Sequence, residues 1–278
     1  MTVTGATGKT GTHVARLGTE RGWRVRGAGR RPPPHGEWVP FSWDDETTWK
    51  PAFDGSQAAY AVIPFNSPGA PARAPAVIEA AAAAGVGRIV LLSTIDVDHA
   101  PPADPTRIAE QTLARLPVES AMLRPTWFLD NFTTGSFAAM TATGELRLPA
   151  GDGRIPFVDV RDIAEVAIAA MAPGGPTGPL PITGPRAVDH HEVAAALATA
   201  LGRQVTYTPV PPAEFVELMA ARGFSTEYGW FLAGALGAVA DGSFDVPVAG
   251  TVRRLTGRDP YGPAEFAAYY AKGLPAGG

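Results

Sequence analysis

The sequence predicts an α/β protein of the Rossmann type: a doubly wound parallel sheet with a smaller C-terminal substrate lobe. One observation is at the chain start, where a β-branched run enters a loop with glycines at positions 5, 8 and 11 and a helical pattern follows at once. The other is the alternation of strand-like and helix-like segments through the first half of the chain. That alternation is typical of a parallel sheet with helices on both faces.

The glycine loop has the spacing that a dinucleotide needs. Gly5 permits a tight turn out of the strand, Gly8 lets backbone N–H groups approach a pyrophosphate, and Gly11 lets the helix pack closely on the strand. The start of the helix offers unpaired N–H groups and the positive end of its dipole. The residues of the loop expected to bind the cofactor are Gly5, Thr7, Gly8, Lys9, Thr10 and Gly11.

This loop has two other possible interpretations. Glycines are common in this chain, so the loop alone would also fit an ordinary glycine turn. The substring Gly8-Lys9-Thr10 resembles the end of a P-loop, but that motif wants a small residue five positions before Gly8, where this chain has Val3. The P-loop interpretation is therefore set aside.

The later elements follow from apolar runs and from their stop signals. Further strands are expected at residues 23–29, 58–63, 88–93, 118–124 and 180–183. Helices are expected to about residue 21 and at 71–84, 104–115, 160–171 and 190–201. The last third is rich in Pro and Gly and is expected to be more irregular, with aromatic residues at 215, 224, 228, 230 and 231.

The domain organisation follows from this order of elements. Residues 1–175 are expected to form the dinucleotide-binding domain and residues 176–278 the smaller substrate lobe, which residues 125–150 also contact. With 278 residues, the chain is long enough to bury a sizeable core.

Composition excludes several classes of function. The net charge of −4 gives no basic surface for a nucleic acid or an anionic membrane. The absence of cysteine excludes disulfides, thiolate catalysis and zinc–sulfur sites. The longest apolar stretches are too short to span a bilayer, and no signal peptide precedes the loop. We therefore expect a cytoplasmic protein, a monomer or a homodimer.

No metal site is expected. His190, His191 and Glu192 look like a metal cluster, but neighbouring residues at a helix start diverge by about 100°, so they do not easily share one ion. Both histidines are interpreted as surface residues.

Asp162, near the start of a predicted helix, is expected to be structural rather than catalytic.

The end of the second strand bears on the choice of cofactor. NAD sites usually place an acidic residue there, whereas NADP sites place arginine against the 2′-phosphate. Here Arg30 and Arg31 follow the strand, and the first acidic residue is Glu37. NADP(H) is favoured over NAD(H), the alternative being a solvated arginine pair beside a proline turn. Asp44 is a candidate for the adenine edge or an exposed turn residue.

Several segments together resemble a known family. They are Thr4-Gly5-Ala6-Thr7-Gly8-Lys9-Thr10-Gly11, Arg30-Arg31-Pro32, Leu123-Arg124-Pro125-Thr126-Trp127-Phe128-Leu129-Asp130-Asn131-Phe132, Val158-Asp159-Val160-Arg161-Asp162-Ile163-Ala164, Thr183-Gly184-Pro185 and Leu255-Thr256-Gly257-Arg258. They resemble the NmrA-like branch of the atypical short-chain dehydrogenases/reductases, and within it the group that includes ergot-alkaloid iminium reductases. The resemblance implies a Rossmann fold, NADP(H) binding and, in many members, hydride transfer to an imine, quinone or carbonyl. Other members of the branch are redox-sensing regulators without turnover.

The chain lacks the Tyr-x-x-x-Lys dyad of ordinary short-chain dehydrogenases. None of its six tyrosines has a lysine four positions later, and the lysine position of relatives aligned through Glu110 falls on Ile108. Reducing a ketone creates an alkoxide that needs a proton donor. An iminium or a quinone depends less on an acid, so these electrophiles rank above simple ketones.

Candidate groups for the reacting end of the cofactor follow three of the strands. Ser93 ends the central strand and is expected beside the cofactor, as are Pro64 and Pro125. The candidate catalytic residues follow Ser93: Thr94, Asp96 and His99. Asp96 or Asp98 is a candidate to orient His99. The alternative interpretation is an exposed acidic loop ahead of two prolines.

The candidate substrate-binding residues are mostly aromatic. They are Trp127, Phe128, Asn131, Phe157, Tyr228 and Trp230. Trp127 is equally consistent with stacking on a flat substrate and with packing, and for Phe157, Tyr228 and Trp230 core packing is the alternative.

The sequence thus indicates an NADPH-dependent reductase of a planar, apolar, aromatic or heterocyclic small molecule (an iminium ion, a quinone or a conjugated carbonyl), with a role in secondary metabolism. Two alternatives remain at this point: a regulator that reads NADP(H) without turnover, and an isomerase, epimerase or cyclase on the same fold.

Overall fold

The computed structural model describes residues 1–64, 69–244 and 246–273. The strands among these residues are β1 (Thr2–Thr4), β2 (Arg26–Gly29), β3 (Glu37–Pro40), β4 (Ala58–Val62), β5 (Arg88–Leu92), β6 (Glu119–Pro125), β7 (Glu145–Leu148), β8 (Gly178–Ile182) and β9 (Thr206–Pro209).

The α-helices of the same residues alternate with these strands. They are α1 (Lys9–Glu20), α2 (Trp49–Phe53), α3 (Ala70–Ala83), α4 (Pro105–Arg115), α5 (Ala138–Thr143), α6 (Val160–Met171), α7 (His190–Leu201), α8 (Pro212–Ala220), α9 (Thr226–Ala240), α10 (Thr251–Thr256) and α11 (Pro263–Lys272). Short 3₁₀ turns lie at Glu46–Thr48 and Leu129–Phe132.

The chain divides into two compact units. The first comprises residues 1–125, 160–182 and 250–258, and the second comprises residues 126–159, 183–249 and 259–278; residues 65–68, 245 and 274–278 lie outside the described part. This division is discontinuous, whereas the sequence suggested one boundary after residue 175. The roles expected for the two units, dinucleotide binding and substrate binding, stay predictions.

The first unit is built on a seven-stranded sheet in the order β3-β2-β1-β4-β5-β6-β8, in which every neighbouring pair is parallel. The chain reverses its direction of travel across the sheet between β1 and β4. In such sheets the ligand lies at the carboxyl ends of the strands, at this reversal point. The predicted Rossmann-type doubly wound sheet is confirmed.

Helices cover both faces of this sheet. Successive side chains of a strand point to opposite faces, so both faces carry apolar side chains that the helices bury. Ala59 and Ala61 of β4 join the core beneath α3 and α4, whereas Tyr60 is fully buried outside that cluster. α1 packs against α6, and α3 packs against α4. The predicted helices are confirmed to within a residue or two at their ends. The loop before α1 lies at the carboxyl end of β1, because it joins that strand to the helix.

The second unit has its own apolar core, with fully or almost fully buried rings at Phe132, Phe137, Phe157 and Phe215. β7 and β9 form a two-stranded parallel sheet, α8 packs on α9, and α7 packs on α11. The prediction of an irregular last third is wrong, because α8, α9, α10 and α11 occupy much of it. Several of its prolines begin helices instead of ending them, as at Pro212 and Pro263.

None of the helices in the described ranges is both long enough and apolar enough to cross a membrane.

Candidate functional site

The glycine loop turns tightly between β1 and α1. Gly5 adopts φ +63°, a left-handed conformation that favours glycine, and its carbonyl accepts the N–H of Gly8 at 2.8 Å. A Cβ built on Gly11 would lie 2.2 Å from the Gly5 carbonyl oxygen, so only glycine lets α1 approach this closely. The Thr12 hydroxyl donates to the Ala6 carbonyl at 3.0 Å and fastens the loop to the helix.

The start of α1 has the form of an anion site. Its N-cap is Gly8, which has no side chain to accept the first N–H groups of the helix. The cradle is therefore built from backbone, as pyrophosphate binding requires. Of the other predicted loop residues, Thr7 is exposed, Lys9 is half-buried and Thr10 is 4% exposed.

Arg30 and Arg31 follow β2 directly and are exposed. Within the described ranges, neither guanidinium has a hydrogen bond or an ion pair. Glu37 pairs in register with Arg26, at the amino end of β2, and its carboxylate binds Arg24 at 3.1 Å. The first acidic residue after β2 is thus at the opposite end of the strand from Arg30.

The other predicted cofactor residues of this edge are Asp44 and Pro64. The Asp44 carboxylate accepts a hydrogen bond from Arg73 of α3 at 2.6 Å, and both side chains are about half exposed. Pro64 is half-buried and follows the end of β4. Asp44 is therefore an exposed turn residue that is also an ion-pair partner of α3.

Ser93 and Thr94 lie where β5 ends. The Ser93 hydroxyl is buried and has no hydrogen-bond partner in the described part of the chain. Its backbone N–H donates to the Leu123 carbonyl at 2.7 Å. The Thr94 hydroxyl donates to the Asp96 carboxylate at 2.6 Å.

The structure joins neither Asp96 nor Asp98 to the ring of His99. His99 is exposed, and its backbone N–H donates to the Asp96 carbonyl at 2.9 Å, but no hydrogen bond or ion pair of its ring occurs among the described residues. The expectation that a carboxylate of this loop orients the imidazole therefore has no support in the geometry.

Asp98 instead binds Arg124, a residue that sequence reasoning did not single out. Two hydrogen bonds of 2.7 and 3.1 Å join the Arg124 guanidinium to Asp98, and two of 3.1 and 2.6 Å join it to Glu110 of α4. Arg124 is 13% exposed and Glu110 only 7%. These carboxylates, Glu110 first, raise the pKa of Arg124 above its ordinary value. The sequence feature that could have pointed to Arg124 is its position at the end of a predicted buried strand.

The first unit has one tyrosine, Tyr60, and burial raises the pKa of its phenol. It is fully buried in β4, so it does not replace the tyrosine of the usual dyad. Ile108, at the aligned lysine position, lies on α4 and is half-buried.

The candidate substrate residues of the second unit differ in burial. Phe157 is 2% exposed and contacts the rings of Phe132 and His190, whereas Trp127 is half-buried and packs against the same core. Phe128 and Asn131 are half-buried. Packing in this core accounts fully for the position of Phe157 and partly for that of Trp127.

Two of the candidate aromatics are exposed on α9. Trp230 is 51% exposed and Tyr228 is 37% exposed. The Tyr228 ring stacks on Phe231, which is 68% exposed, with 6.3 Å between ring centroids. The Tyr228 hydroxyl lies 2.9 Å from that of Ser136. Tyr228 and Phe231 present flat apolar surface to solvent on one face of α9, and Trp230 does so on another.

The surface interpretation is correct for His191 and wrong for His190. His190 is fully buried among Phe132, Phe157 and Tyr207, with ring centroids 5.1 to 5.9 Å away. Within the described residues neither of its ring nitrogens has a hydrogen-bond partner, and burial lowers its pKa to about 4. The described residues contain no group of three or more His, Asp or Glu side chains suited to a metal ion.

Asp162 is fully buried in the first turn of α6, 2.7 Å from the Arg258 guanidinium. Arg258 also binds Glu165 of the same helix at 2.9 Å. These contacts support the structural role predicted for Asp162, because they fasten the residues after α10 to α6.

Curated proteins from bacteria and fungi are similar to this chain along most of its length. The chain is 32% identical to the oxidoreductase YesF of Bacillus subtilis over 97% of this chain and 94% of that protein. It is 30% identical to agroclavine dehydrogenase of Claviceps fusiformis over 95% and 94%. It is 32% identical to an NAD(P)H azoreductase of Xenophilus azovorans over 81% and 79%. All three relatives are oxidoreductases by name. The enzyme class expected for this chain, an oxidoreductase, is therefore confirmed.

Solved structures share the fold. An NADPH-dependent quinone oxidoreductase of Escherichia coli, complexed with NADPH, superposes with a TM-score of 0.82 at 24% identity, covering 96% of this chain and 98% of that one. A triphenylmethane reductase of Citrobacter superposes with a TM-score of 0.82 at 18% identity, covering 98% and 99%. The NmrA-like family itself matches residues 1–235. The chain therefore belongs to the NmrA-like family, as its sequence motifs implied.

Proposed function

We propose that this protein is an NADPH-dependent reductase that transfers hydride to a planar, largely apolar electrophile. The observation that carries the proposal is the cradle at Gly5, Gly8 and Gly11, in which a Cβ at position 11 would strike the Gly5 carbonyl. Such a backbone cradle at a helix start fits a dinucleotide pyrophosphate. Bound NADPH would supply a hydride from its nicotinamide ring.

The preference for NADPH over NADH rests on charge at the end of β2. Arg30 and Arg31 have no carboxylate partner among the described residues, and Glu37 is at the far end of the strand. Two exposed guanidinium groups suit the 2′-phosphate of NADPH, since arginine binds phosphate through paired hydrogen bonds. They give the ribose hydroxyls of NADH no acceptor.

The kind of electrophile follows from the missing acid. No tyrosine–lysine dyad occurs in the sequence, and His99 has no orienting carboxylate among the described residues. Reduction of an iminium or a quinone needs less proton donation in the transition state than reduction of a ketone. We therefore rank iminium ions and quinones above simple ketones, with positioning of the reactants contributing much of the rate.

A flat, aromatic or heterocyclic substrate is favoured by the aromatic residues of the second unit. Trp127, Tyr228 and Trp230 keep exposed ring surface, and aromatic rings bind flat apolar molecules by stacking. The names of the relatives agree with such chemistry: agroclavine is the substrate named for one, azo compounds for another, and triphenylmethane dyes for a solved structure. A role in secondary metabolism is part of this proposal.

The experiment is a substrate screen that follows the loss of reduced-nicotinamide absorbance. Quinones, cyclic iminium salts, azo compounds and simple ketones are each mixed with NADPH and purified protein. We expect turnover of at least one of the first three classes and little turnover of ketones. Binding of NADPH with no turnover of any class would contradict the proposal.

A regulator that reads NADP(H) is the second candidate, and the missing dyad favours it. It predicts dinucleotide affinity without turnover and a co-purifying protein partner. An isomerase, epimerase or cyclase would instead form product without net oxidation of NADPH, and product analysis in the same screen distinguishes it.

A further inference from the structure

Residues 93–104, the loop between β5 and α4, carry the three candidate catalytic groups Thr94, Asp96 and His99. Two backbone hydrogen bonds hold the start of this loop. The Ser93 N–H donates to the Leu123 carbonyl at 2.7 Å and the Ile95 N–H donates to the Pro125 carbonyl at 3.1 Å. These bonds continue the β5–β6 pairing beyond Leu92, so β6 fixes the first part of the loop.

Two side-chain contacts hold the middle of the loop: Arg124 binds Asp98, and the Arg107 guanidinium of α4 donates to the Ala100 carbonyl at 2.5 Å. Asp98 accepts two hydrogen bonds from Arg124, at 2.7 and 3.1 Å, although its side chain is 70% exposed. The neighbouring bonds, from the N–H of His99 to Asp96 and of Ala100 to Val97, close only local turns. Arg124 lies between Leu123 and Pro125, so one short stretch of β6 fixes both parts of the loop.

Arg124 cannot turn freely, because Glu110 of α4 binds its other edge at 3.1 and 2.6 Å. A planar guanidinium with a paired bond on each side has a fixed orientation. Arg124 is 13% exposed and Glu110 is 7% exposed, so solvent screens this part of the network little. The loop is thereby tied to α4, the helix on which the usual lysine would fall at Ile108.

We infer that Asp98 and Arg124 are positioning residues: their ion pair holds the middle of the loop so that His99 keeps a fixed place near the carboxyl end of β5 during reduction. This inference rests on the proposed function, because it assigns the loop to the reacting end of the dinucleotide. In a chain without the dyad, the rate then depends on the position of the His99 side chain.

The test compares Asp98→Asn with Asp98→Glu and with a matched control, Asp54→Asn. Asp54 is an exposed carboxylate in an ion pair with Lys50 at 2.6 Å, far along the chain from this loop. The first measurement is hydrogen exchange at the backbone amides of residues 97–100 without added dinucleotide. The second is kcat, KM and NADPH affinity with an electrophile that the wild type reduces.

Asp98→Asn is expected to speed exchange at these amides about tenfold, because the loop opens more often. It is expected to lower kcat about tenfold, while NADPH affinity stays within about twofold and the melting temperature within about 2 °C. Asp98→Glu keeps a carboxylate and should recover part of kcat. Asp54→Asn should change none of these quantities.

The inference is overturned if Asp98→Asn matches Asp54→Asn in exchange or in kcat. It is also overturned if kcat, NADPH affinity and melting temperature fall together, since that pattern indicates general loss of structure. Failure of the proposed function looks different, because the wild type itself would then show no turnover, while the exchange comparison would still show whether the ion pair holds the loop.

Discussion

A Cβ on Gly11 would lie 2.2 Å from the carbonyl oxygen of Gly5, a distance at which the backbone of the loop or of α1 must move. This contact makes the close approach of α1 to β1 depend on glycine. It also keeps the first N–H groups of the helix directed at the space above the loop.

Gly11→Ala is therefore expected to weaken dinucleotide binding by about tenfold or more and to destabilise the protein by about 1–3 kcal/mol, the usual cost of overpacking. The matched control is Gly234→Ala on α9, where a Cβ meets nothing within 4 Å. That variant should gain about 0.5–1 kcal/mol through helix propensity. Thermal melting and calorimetric titration check both expectations, and equal NADPH affinity in the two variants would contradict the first.

Acid is expected to destabilise the protein through His190. The unfolded chain binds a proton at this side chain with a pKa near 6.5, whereas burial lowers the pKa in the folded state to about 4. The free energy of unfolding therefore decreases by about 3 kcal/mol in total as the pH falls from about 6.5 to about 4. Above pH 6.5 this contribution to stability is fully present. Below pH 4 this side chain causes no further loss.

His190→Leu should remove this part of the pH dependence and leave stability at pH 7 about equal, because it replaces an unpartnered buried polar ring by an apolar group. Urea unfolding at pH 7 and pH 5 measures the difference, with His191→Gln as the exposed control. The same loss of stability on acidification in His190→Leu and in the wild type would rule out His190 as its source.

Removing the Arg124 guanidinium should destabilise the first unit strongly. Arg124→Met leaves Glu110 buried without a cation, and breaking a buried ion pair in this way costs about 3–5 kcal/mol. Replacing both partners, as Arg124→Met with Glu110→Leu, should recover most of that loss. Denaturant unfolding of the single and double variants tests this, and a double variant no more stable than the single one would contradict it.

The exposed and buried aromatics of the second unit should separate substrate binding from packing. Trp230→Ala, at a side chain 51% exposed, is expected to raise KM for a planar substrate about three- to tenfold with little change in melting temperature. Phe157→Ala, at a side chain 2% exposed, should cost about 3–5 kcal/mol of stability. An unchanged KM in Trp230→Ala would remove that residue from the substrate site.

The sequence predicted the parts of the first unit that local pattern specifies. The glycine spacing and the apolar run at β5 each act within a few residues, and the structure has the expected elements there. The family motifs predicted the fold as well. Because these signals are local, the elements that they specify could be predicted from the sequence.

Other features depend on contacts between distant segments. β7 pairs with β9 about 60 residues later, and each has only four residues, too few for a periodic pattern. α9 is apolar around much of its circumference and contains glycines, so its sequence resembled an irregular segment. His190 is buried by the rings of Phe132, Phe157 and Tyr207, which lie in other segments of the chain, whereas its sequence neighbour His191 is exposed.

The sequence allowed only single residues of the candidate site to be proposed. Gly11 was a candidate because of the spacing of the glycines, and Arg30 because it follows a strand. The Arg124 network was not identified, because Asp98, Glu110 and Arg124 are separated by 12 to 26 residues and meet only after β5, α4 and β6 have packed.

The most direct test of the central claim is calorimetric titration of the purified protein with NADPH and with NADH, alongside Arg30→Ala. Arg16→Ala, which removes an exposed arginine paired with Glu20 on α1, is the matched control. We predict that the wild type and Arg16→Ala bind NADPH about 10- to 100-fold more tightly than NADH, and that Arg30→Ala loses most of this difference, as the loss of charged hydrogen bonds to a phosphate implies. Binding of neither dinucleotide to the wild type would contradict the proposed cofactor and with it the proposed reduction.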